Sequence, residues 1–262
     1  MKKRFALIIG AACSGTTTLF RHLGTHPQVL PCRVKEPRFF TDDHKWELGV
    51  EWYRSLWDFR EPDERIAIEA SSEYTMHPSV PSPAGRIAQT PAGFRFVYLM
   101  RDPIERIEFH HARAWEEGSI EWKVADGVLP QHIEASRYAA QLDRYREHFP
   151  PEDFLLMRFE DLQSDPVAEL RRICRFLEID PDYAFPGVGQ ATEARPKSWL
   201  ERVSGTFRRL GRARVRSDRR GEPATGRLSP SQRARVLSEL RPDLDRLSQG
   251  YGVDTSLWQT DA

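Results

Sequence analysis

The sequence predicts an α/β fold in which a parallel sheet is flanked by helices, and three observations support this. An apolar run at 5–9 ends at a glycine-rich loop, as expected of a buried parallel strand. A helical pattern follows that loop, and strand-like and helix-like segments then alternate along the chain. The 262 residues are 39% apolar and 30% charged, a normal balance for a globular protein. We therefore expect a single domain over residues 1–262.

Four further strands are assigned from short apolar runs, at 29–30, 65–69, 94–100 and 154–158. Proline marks the first turn of several predicted helices, where its missing N–H costs nothing. Helices are predicted after Gly15, from Pro103 and from Pro166. The helix from Pro166 has an apolar stripe that predicts its buried face, formed by Val167, Leu170, Ile173, Cys174 and Leu177. A last helix is predicted over about 231–249, with Ser229 as its N-terminal cap.

A stretch rich in Arg, Gly and Pro, at about 186–228, is predicted to be irregular. Within it, residues 195–220 include ten Lys or Arg against two acidic residues, although the formal net charge of the chain is zero. Two interpretations stay open: a solvated surface segment, or a basic lid over an anionic ligand. Since the net charge shows no bias toward nucleic acid or an anionic membrane, we expect neither nucleic-acid binding nor stable membrane association.

The N-terminus and the cysteines bear on the cellular compartment. A basic start followed by eight apolar residues at 5–12 is similar to a short secretory signal, but the run is near the lower limit for one. A strand that leads into a loop explains it better. Cys13, Cys32 and Cys174 have no metal-like spacing, which suits a reducing compartment. We expect a cytoplasmic protein, and no oligomeric state is predicted.

The glycine-rich loop, residues 10–18 (G-A-A-C-S-G-T-T-T), has the arrangement of an anion site. Glycines let the backbone bend around an oxyanion, and the following helix N-terminus offers N–H donors with partial positive charge. The nucleoside-triphosphate loop requires lysine after its second glycine, and here that position is Thr16. An atypical kinase or NTPase is therefore a weaker alternative. A turn that binds no ligand is the other.

Five segments in order along the chain carry a resemblance to a known family, at 10–19, 26–40, 69–74, 101–106 and 158–162. They resemble motifs of sulfotransferases that use 3′-phosphoadenosine-5′-phosphosulfate (PAPS), in the heparan-sulfate-type and bacterial branches. The resemblance implies a P-loop-like sulfotransferase fold. It also implies PAPS as co-substrate, 3′-phosphoadenosine-5′-phosphate (PAP) as product, no metal, and a hydroxyl acceptor on a carbohydrate or small metabolite.

The same resemblance implies which residues bind the donor. The 5′-phosphosulfate would be held by Ser14, Gly15, Thr16, Thr17 and Thr18. Arg101 would contact the 3′-phosphate with a charge-assisted, bidentate hydrogen-bond pair.

Two positions near Arg101 need separate mention. Phe109 stands where the family has a serine that also binds the 3′-phosphate. Arg106 is expected to be structural, paired with Glu105 or a neighbouring acid.

The resemblance implies that Glu36 is the base that removes the acceptor proton. The alternative for Glu36 is an ordinary ion pair with Lys35 or Arg38. Either interpretation fits the 35–40 segment, K-E-P-R-F-F, as it stands in the sequence.

Cys13 occupies the position of the family's loop lysine, which stabilises charge on the leaving nucleotide. A neutral thiol is a weak donor and a thiolate repels the phosphosulfate, so the loss costs about a hundredfold in rate. Three outcomes stay open. Another cation, such as Lys35 or an arginine of 195–220, takes over; helix and backbone donors suffice for slow transfer; or the chain binds PAP or PAPS without catalysis.

Two other groups favour structural roles. His110 and His111 have no second ligand pair at metal spacing, so a metal site is not predicted. Trp46, Trp52 and Trp57 either flank the acceptor site or pack in the core.

Overall fold

The computed structural model describes residues 4–60, 65–116, 118, 127–188 and 227–258 of the chain. Their sheet has five parallel strands in the order β2-β3-β1-β4-β5. The strands are β1 (Arg4–Gly10), β2 (Val29–Pro31), β3 (Ile66–Ala70), β4 (Gly93–Met100) and β5 (Phe154–Arg158). Each lies within a residue or so of its prediction, and the predicted fold class is confirmed.

Helices cover the sheet on both faces. They are α1 (Thr16–Leu23), α2 (Asp43–Glu47), α3 (Gly49–Arg54), α4 (Ala84–Gln89), α5 (Pro103–Glu116), α6 (Pro130–Glu134), α7 (Tyr138–Arg146), α8 (Phe159–Ser164), α9 (Pro166–Leu177) and α10 (Pro230–Tyr251). Short 3₁₀ helices are Ser72–Thr75, Pro151–Asp153 and Ser256–Trp258. Because β1 and β4 are covered on both sides, their continuous apolar sequences are buried over almost their whole length.

Two apolar clusters lie on opposite faces of the sheet. One face of β1 contributes Phe5, Leu7 and Ile9 to the first cluster, which includes residues of α7 and α10. The other face contributes Ala6 and Ile8 to the second, which includes residues of α1 and α9. The alternation follows from the two-residue period of a strand. As the middle strand of the sheet, β1 thus packs against both clusters.

The cap of α10 and the buried face of α9 largely agree with the sequence predictions. The side chain of Ser229 accepts a hydrogen bond from the Gln232 amide in a capping box, with Pro230 in the first turn of α10. The apolar stripe of α9 is buried at four of its five predicted positions, whereas Val167 in the first turn is only half-buried.

The basic run at 195–220 lies outside the described residues, so both of its interpretations stay predictions. Because the described residues do not cover the whole chain, a single domain over residues 1–262 also stays a prediction. Among the described helices, none combines the length and the apolar character needed to cross a membrane.

Candidate active site

The glycine-rich loop joins the end of β1 to the start of α1 and requires glycine at Gly15. Its φ of +90° lies in the left-handed region. A Cβ there would lie 2.7 Å from a ring carbon of Phe159, which is closer than real contacts allow. The loop therefore packs directly against Phe159, the first residue of α8.

The first turn of α1 has no side-chain cap from its N-cap residue. Gly15 is the N-cap and supplies no side-chain hydrogen bond to the first turn. The Thr18 amide donates to the Gly15 carbonyl at 3.0 Å. Ser14 is fully buried, and its hydroxyl makes no hydrogen bond within the described residues. Thr16 is buried, Thr17 is half-buried and Thr18 is exposed. The residues predicted to bind the 5′-phosphosulfate therefore differ in their exposure to solvent.

Cys13 lies at the turn of the loop with a half-buried side chain and a φ of +69°. The loop thus presents a thiol at the position that the motif assigns to the family's lysine, and that assignment stays a prediction. The nearby N-terminus of α1 contributes a partial positive charge at this end of the loop.

The side chain of Arg106 bonds to the backbone of the glycine-rich loop. Its guanidinium is fully buried and donates from Nη1 to the Ala12 carbonyl at 3.4 Å and from Nε to Ser136 Oγ at 2.8 Å. It also donates to the His132 carbonyl. The expectation of a structural role agrees with this, but the expected partner, Glu105 or a neighbouring acid, is wrong, since the partners of Arg106 among the described residues are neutral. Arg106 lies on the buried face of α5, whereas Glu105 lies on its exposed face.

Arg101 follows the last residue of β4 and is 5% exposed. Its Nη2 and Nε donate to Oε2 of Glu105 at 2.6 and 3.2 Å. The guanidinium also lies 5.0 Å from the ring centre of Phe159 and 5.7 Å from that of Phe109. Phe109 therefore offers the Arg101 guanidinium a cation–π contact. Because Phe159 also contacts Gly15, Arg101 and the glycine-rich loop share one aromatic neighbour.

Glu36 lies in the loop after β2 and is half-buried. Its Oε1 accepts from Lys35 Nζ at 3.1 Å and from Ser72 Oγ at 2.8 Å. Arg38 instead pairs with Glu73, with 3.1 Å between Nε and Oε2. Of the two ion pairs considered for Glu36, the structure contains the one with Lys35. This contact does not exclude a role as base, since the pair stays partly open to solvent.

The 3₁₀ turn Ser72–Thr75 connects the two halves of the candidate site. At one end Ser72 donates to Glu36, and at the other Thr75 Oγ1 donates to the Ile9 carbonyl at 3.1 Å. Gly10 makes this approach possible, because a Cβ there would overlap Thr75 Oγ1. The turn fixes the 35–40 segment relative to the glycine-rich loop, a relation that the sequence motifs alone did not reveal.

Glu69 is a buried carboxyl beneath the 35–40 segment. It is fully buried at the end of β3, and no hydrogen bond of normal length and angle reaches either carboxylate oxygen from the described residues. Burial raises the pKa of Glu69 to about 8, opposed by weaker interactions with the Tyr74 and Tyr53 hydroxyls. Glu69 therefore holds a proton at neutral pH. Its place in an otherwise apolar strand was the sequence signal for this burial.

Two histidines pack behind Arg106. The rings of His110 and His132 stack with centres 4.1 Å apart. Burial, together with neighbouring positive groups, lowers the pKa of His110 to about 2 and that of His132 to about 3, so both are neutral at physiological pH. In the described part of the chain, no group of three or more His, Cys, Asp or Glu is arranged to hold a metal ion.

All three tryptophans pack in or against the apolar core, and their flanking of an acceptor site stays a prediction. Trp57 is buried and donates from Nε1 to the Ile68 carbonyl, so it belongs to the core. Trp46 and Trp52 are half-buried, and both pack against Phe39. Trp46 also has the Arg86 guanidinium 5.4 Å from its ring centre.

A parallel sheet with a glycine-rich loop at the carboxyl end of its central strand, followed by a helix, is the arrangement of P-loop-like α/β proteins. The sequence model of the family described as "Sulfotransferase domain" matches residues 3–195. The chain therefore belongs to the sulfotransferase family, an enzyme family, and the family predicted from the motifs is confirmed.

Individual relatives agree with this assignment. Human heparan sulfate glucosamine 3-O-sulfotransferase 6 is 30% identical over 190 residues, which are 68% of this chain and 54% of that protein. The chain thus spans about half the length of the curated relatives it matches. A sulfotransferase from Alicyclobacillus acidocaldarius has the same fold, with a TM-score of 0.71, 21% identity and coverage of 99% and 100% of the two chains. Mouse sulfotransferase SULT7A1, solved in complex with PAP, matches with a TM-score of 0.50, 16% identity and coverage of 95% and 86%.

Proposed function

We propose that this chain transfers a sulfuryl group from PAPS to a hydroxyl of a carbohydrate or small-molecule acceptor. One observation carries the proposal: the turn Ser72–Thr75 bonds both to the base of the glycine-rich loop and to Glu36. In-line transfer needs the donor and the acceptor's base held side by side in this way. The curated relatives are named for heparan sulfate glucosamine, which supports a glucosamine-containing acceptor, and the PAP complex of the mouse structure supports the donor.

In the proposed reaction, the acceptor oxygen attacks the sulfur of PAPS and the bond from sulfur to the bridging oxygen breaks. The electron pair of that bond stays on the nucleotide, which leaves as PAP, and the acceptor proton passes to Glu36. The amides at the start of α1 and the hydroxyls of Ser14 and Thr17 would bind the 5′-phosphosulfate. Arg101 would bind the 3′-phosphate. No metal takes part.

Charge on the departing nucleotide needs a positive partner, and Cys13 is not one. We propose that Lys35 supplies it. Lys35 is half-buried beside Glu36, on the segment that the turn Ser72–Thr75 ties to the loop. In this arrangement Lys35 neutralises the leaving group while Glu36 accepts the proton. The arginines of 195–220, which lie outside the described residues, are the alternative source of charge.

A second candidate function is favoured by Cys13 itself: a protein that binds PAP or PAPS but transfers no sulfuryl group. Both candidates predict nucleotide binding, and only the first predicts turnover. The cytoplasmic location and the absence of nucleic-acid or membrane partners stay predictions.

Two measurements test these proposals in order. First, PAP is expected to raise the melting temperature more than 5′-AMP or ATP with magnesium, since a ligand at ~100 times its dissociation constant stabilises a fold by about 2.7 kcal/mol. Second, release of PAP from PAPS is followed with glucosamine-containing saccharides and simple alcohols as acceptors. Binding without turnover for any acceptor would favour the second candidate. No binding of PAP would contradict both.

A further inference from the structure

Glu105 occupies the anion-binding edge of Arg101. The two donors that face Glu105 are Nε and Nη2, which both bond to Oε2. That edge of a guanidinium is one that matches the two oxygens of a carboxylate or phosphate. The rings of Phe109 and Phe159 lie against the same guanidinium, so an incoming anion has to use an edge rather than a face.

The two partners differ sharply in their freedom to move. The Arg101 side chain is 6% exposed, whereas that of Glu105 is 57% exposed. Glu105 also lies in the first turn of α5, where the helix dipole favours a negative charge. A ligand would therefore find Arg101 fixed in place, with a carboxylate on it that can swing into solvent at modest cost.

We infer that Glu105 is a specificity-determining residue that competes with the nucleotide's 3′-phosphate for Arg101. The inference rests on the proposed donor. Binding of a 3′-phosphate requires Glu105 to move away, and the displaced carboxylate still repels the phosphate at close range. A nucleotide that lacks the 3′-phosphate leaves the pair intact. Glu105 thus reduces the preference for PAP over 5′-AMP below the preference that Arg101 alone would give.

The test is a calorimetric measurement of the dissociation constants of PAP and 5′-AMP for the wild type and for Glu105→Gln. We expect the substitution to tighten PAP binding on the order of fivefold and to leave 5′-AMP binding unchanged. Glu134→Gln is the matched control, because Glu134 forms a similar exposed ion pair with Arg137 on a neighbouring segment. The control should change neither constant.

A double-mutant cycle shows whether the effect passes through Arg101. In an Arg101→Met background, Glu105→Gln is expected to change PAP binding little. If Glu105→Gln tightened PAP binding equally in both backgrounds, the effect would come from the lost negative charge alone and not from Arg101. That result would overturn the inference. An unchanged ratio of PAP to 5′-AMP affinity in Glu105→Gln would overturn it as well, with PAP binding itself intact. If neither wild type nor variant binds PAP while both melt normally, the proposed donor is wrong and the inference falls with it.

Discussion

The hydroxyl of Ser72 donates a 2.8 Å hydrogen bond to Oε1 of Glu36. Glu36 is already paired with Lys35, so the carboxylate oxygen is held from two directions. Ser72 begins the turn whose last residue, Thr75, bonds to the end of β1. The orientation of the candidate base is thereby set by the same element that supports the glycine-rich loop.

Ser72→Ala is expected to lower kcat about tenfold, because a hydrogen bond to a charged group is worth about 1.5–3 kcal/mol and part of it is replaced by water. The affinity for PAP, measured by calorimetry, should not change. Ser55→Ala is the control, since the Ser55 hydroxyl at the end of α3 bonds to the Trp52 carbonyl of that helix and, among the described residues, to no part of the candidate site. An unchanged kcat in Ser72→Ala would show that this contact does not orient the base.

Glu36→Gln is expected to reduce turnover of PAPS by about 10²–10⁴-fold while PAP binding is retained, because the amide cannot accept the acceptor's proton. Comparing steady-state rates with PAP affinity separates these two effects. Glu51→Gln, at an exposed position on α3, is the matched control. Turnover equal to the wild type would remove Glu36 from the mechanism.

The effect of a substitution at Lys35 on the rate is expected to depend on the residue at position 13. Lys35→Met should lower turnover about a hundredfold, the usual cost of losing one contact that stabilises transition-state charge. Cys13→Lys should raise the wild-type rate and should make the Lys35→Met substitution much less harmful, because the loop then carries its own cation.

Rates of the four combinations, with Lys45→Met as a control for loss of a neighbouring lysine, test this coupling. Lys45 bonds to the Pro37 carbonyl and not to Glu36. Additive effects of the Lys35 and Cys13 substitutions would contradict a shared role. A fall in activity in Cys13→Lys would show that the cysteine belongs to a working variant of the site.

The strands and the glycine-rich loop were predictable because their signals are local. A continuous apolar run such as 5–9 and a glycine-bounded turn before a helix depend on few neighbours. The roles of Arg101 and Glu36 as candidates came from motif resemblance. The structure adds contacts from distant segments, namely that of Ser72 with Glu36 and that of Phe159 with Arg101.

The partner of Arg106 was not predictable from local pattern. A charged residue is normally exposed, so its burial against Ala12 and Ser136 depends on how α5 packs under the loop. Neighbouring positions on a helix point about 100° apart, which separates Glu105 from Arg106. The role of the Ser72–Thr75 turn was not predictable for a similar reason, because its bonds to Glu36 and Ile9 join residues more than thirty positions apart.

Glu69 is expected to make stability depend on pH. Because burial raises its pKa from 4.5 to about 8, the folded chain keeps a proton that the unfolded chain has released over that range. The free energy of unfolding therefore falls as pH rises from about 4.5 to about 8, and this contribution is constant above and below that window. Each pH unit inside the window changes it by at most about 1.4 kcal/mol.

Glu69→Gln removes the titrating proton, so its unfolding free energy should change less with pH than that of the wild type. Urea unfolding at about pH 5.5 and about pH 7.5 measures both slopes. Other buried acids, such as Asp102 with a pKa raised to about 6, titrate in both proteins and cancel in the comparison. Glu51→Gln should behave as the wild type. Equal slopes for Glu69→Gln and wild type would show that the pKa of Glu69 is not raised in the folded chain.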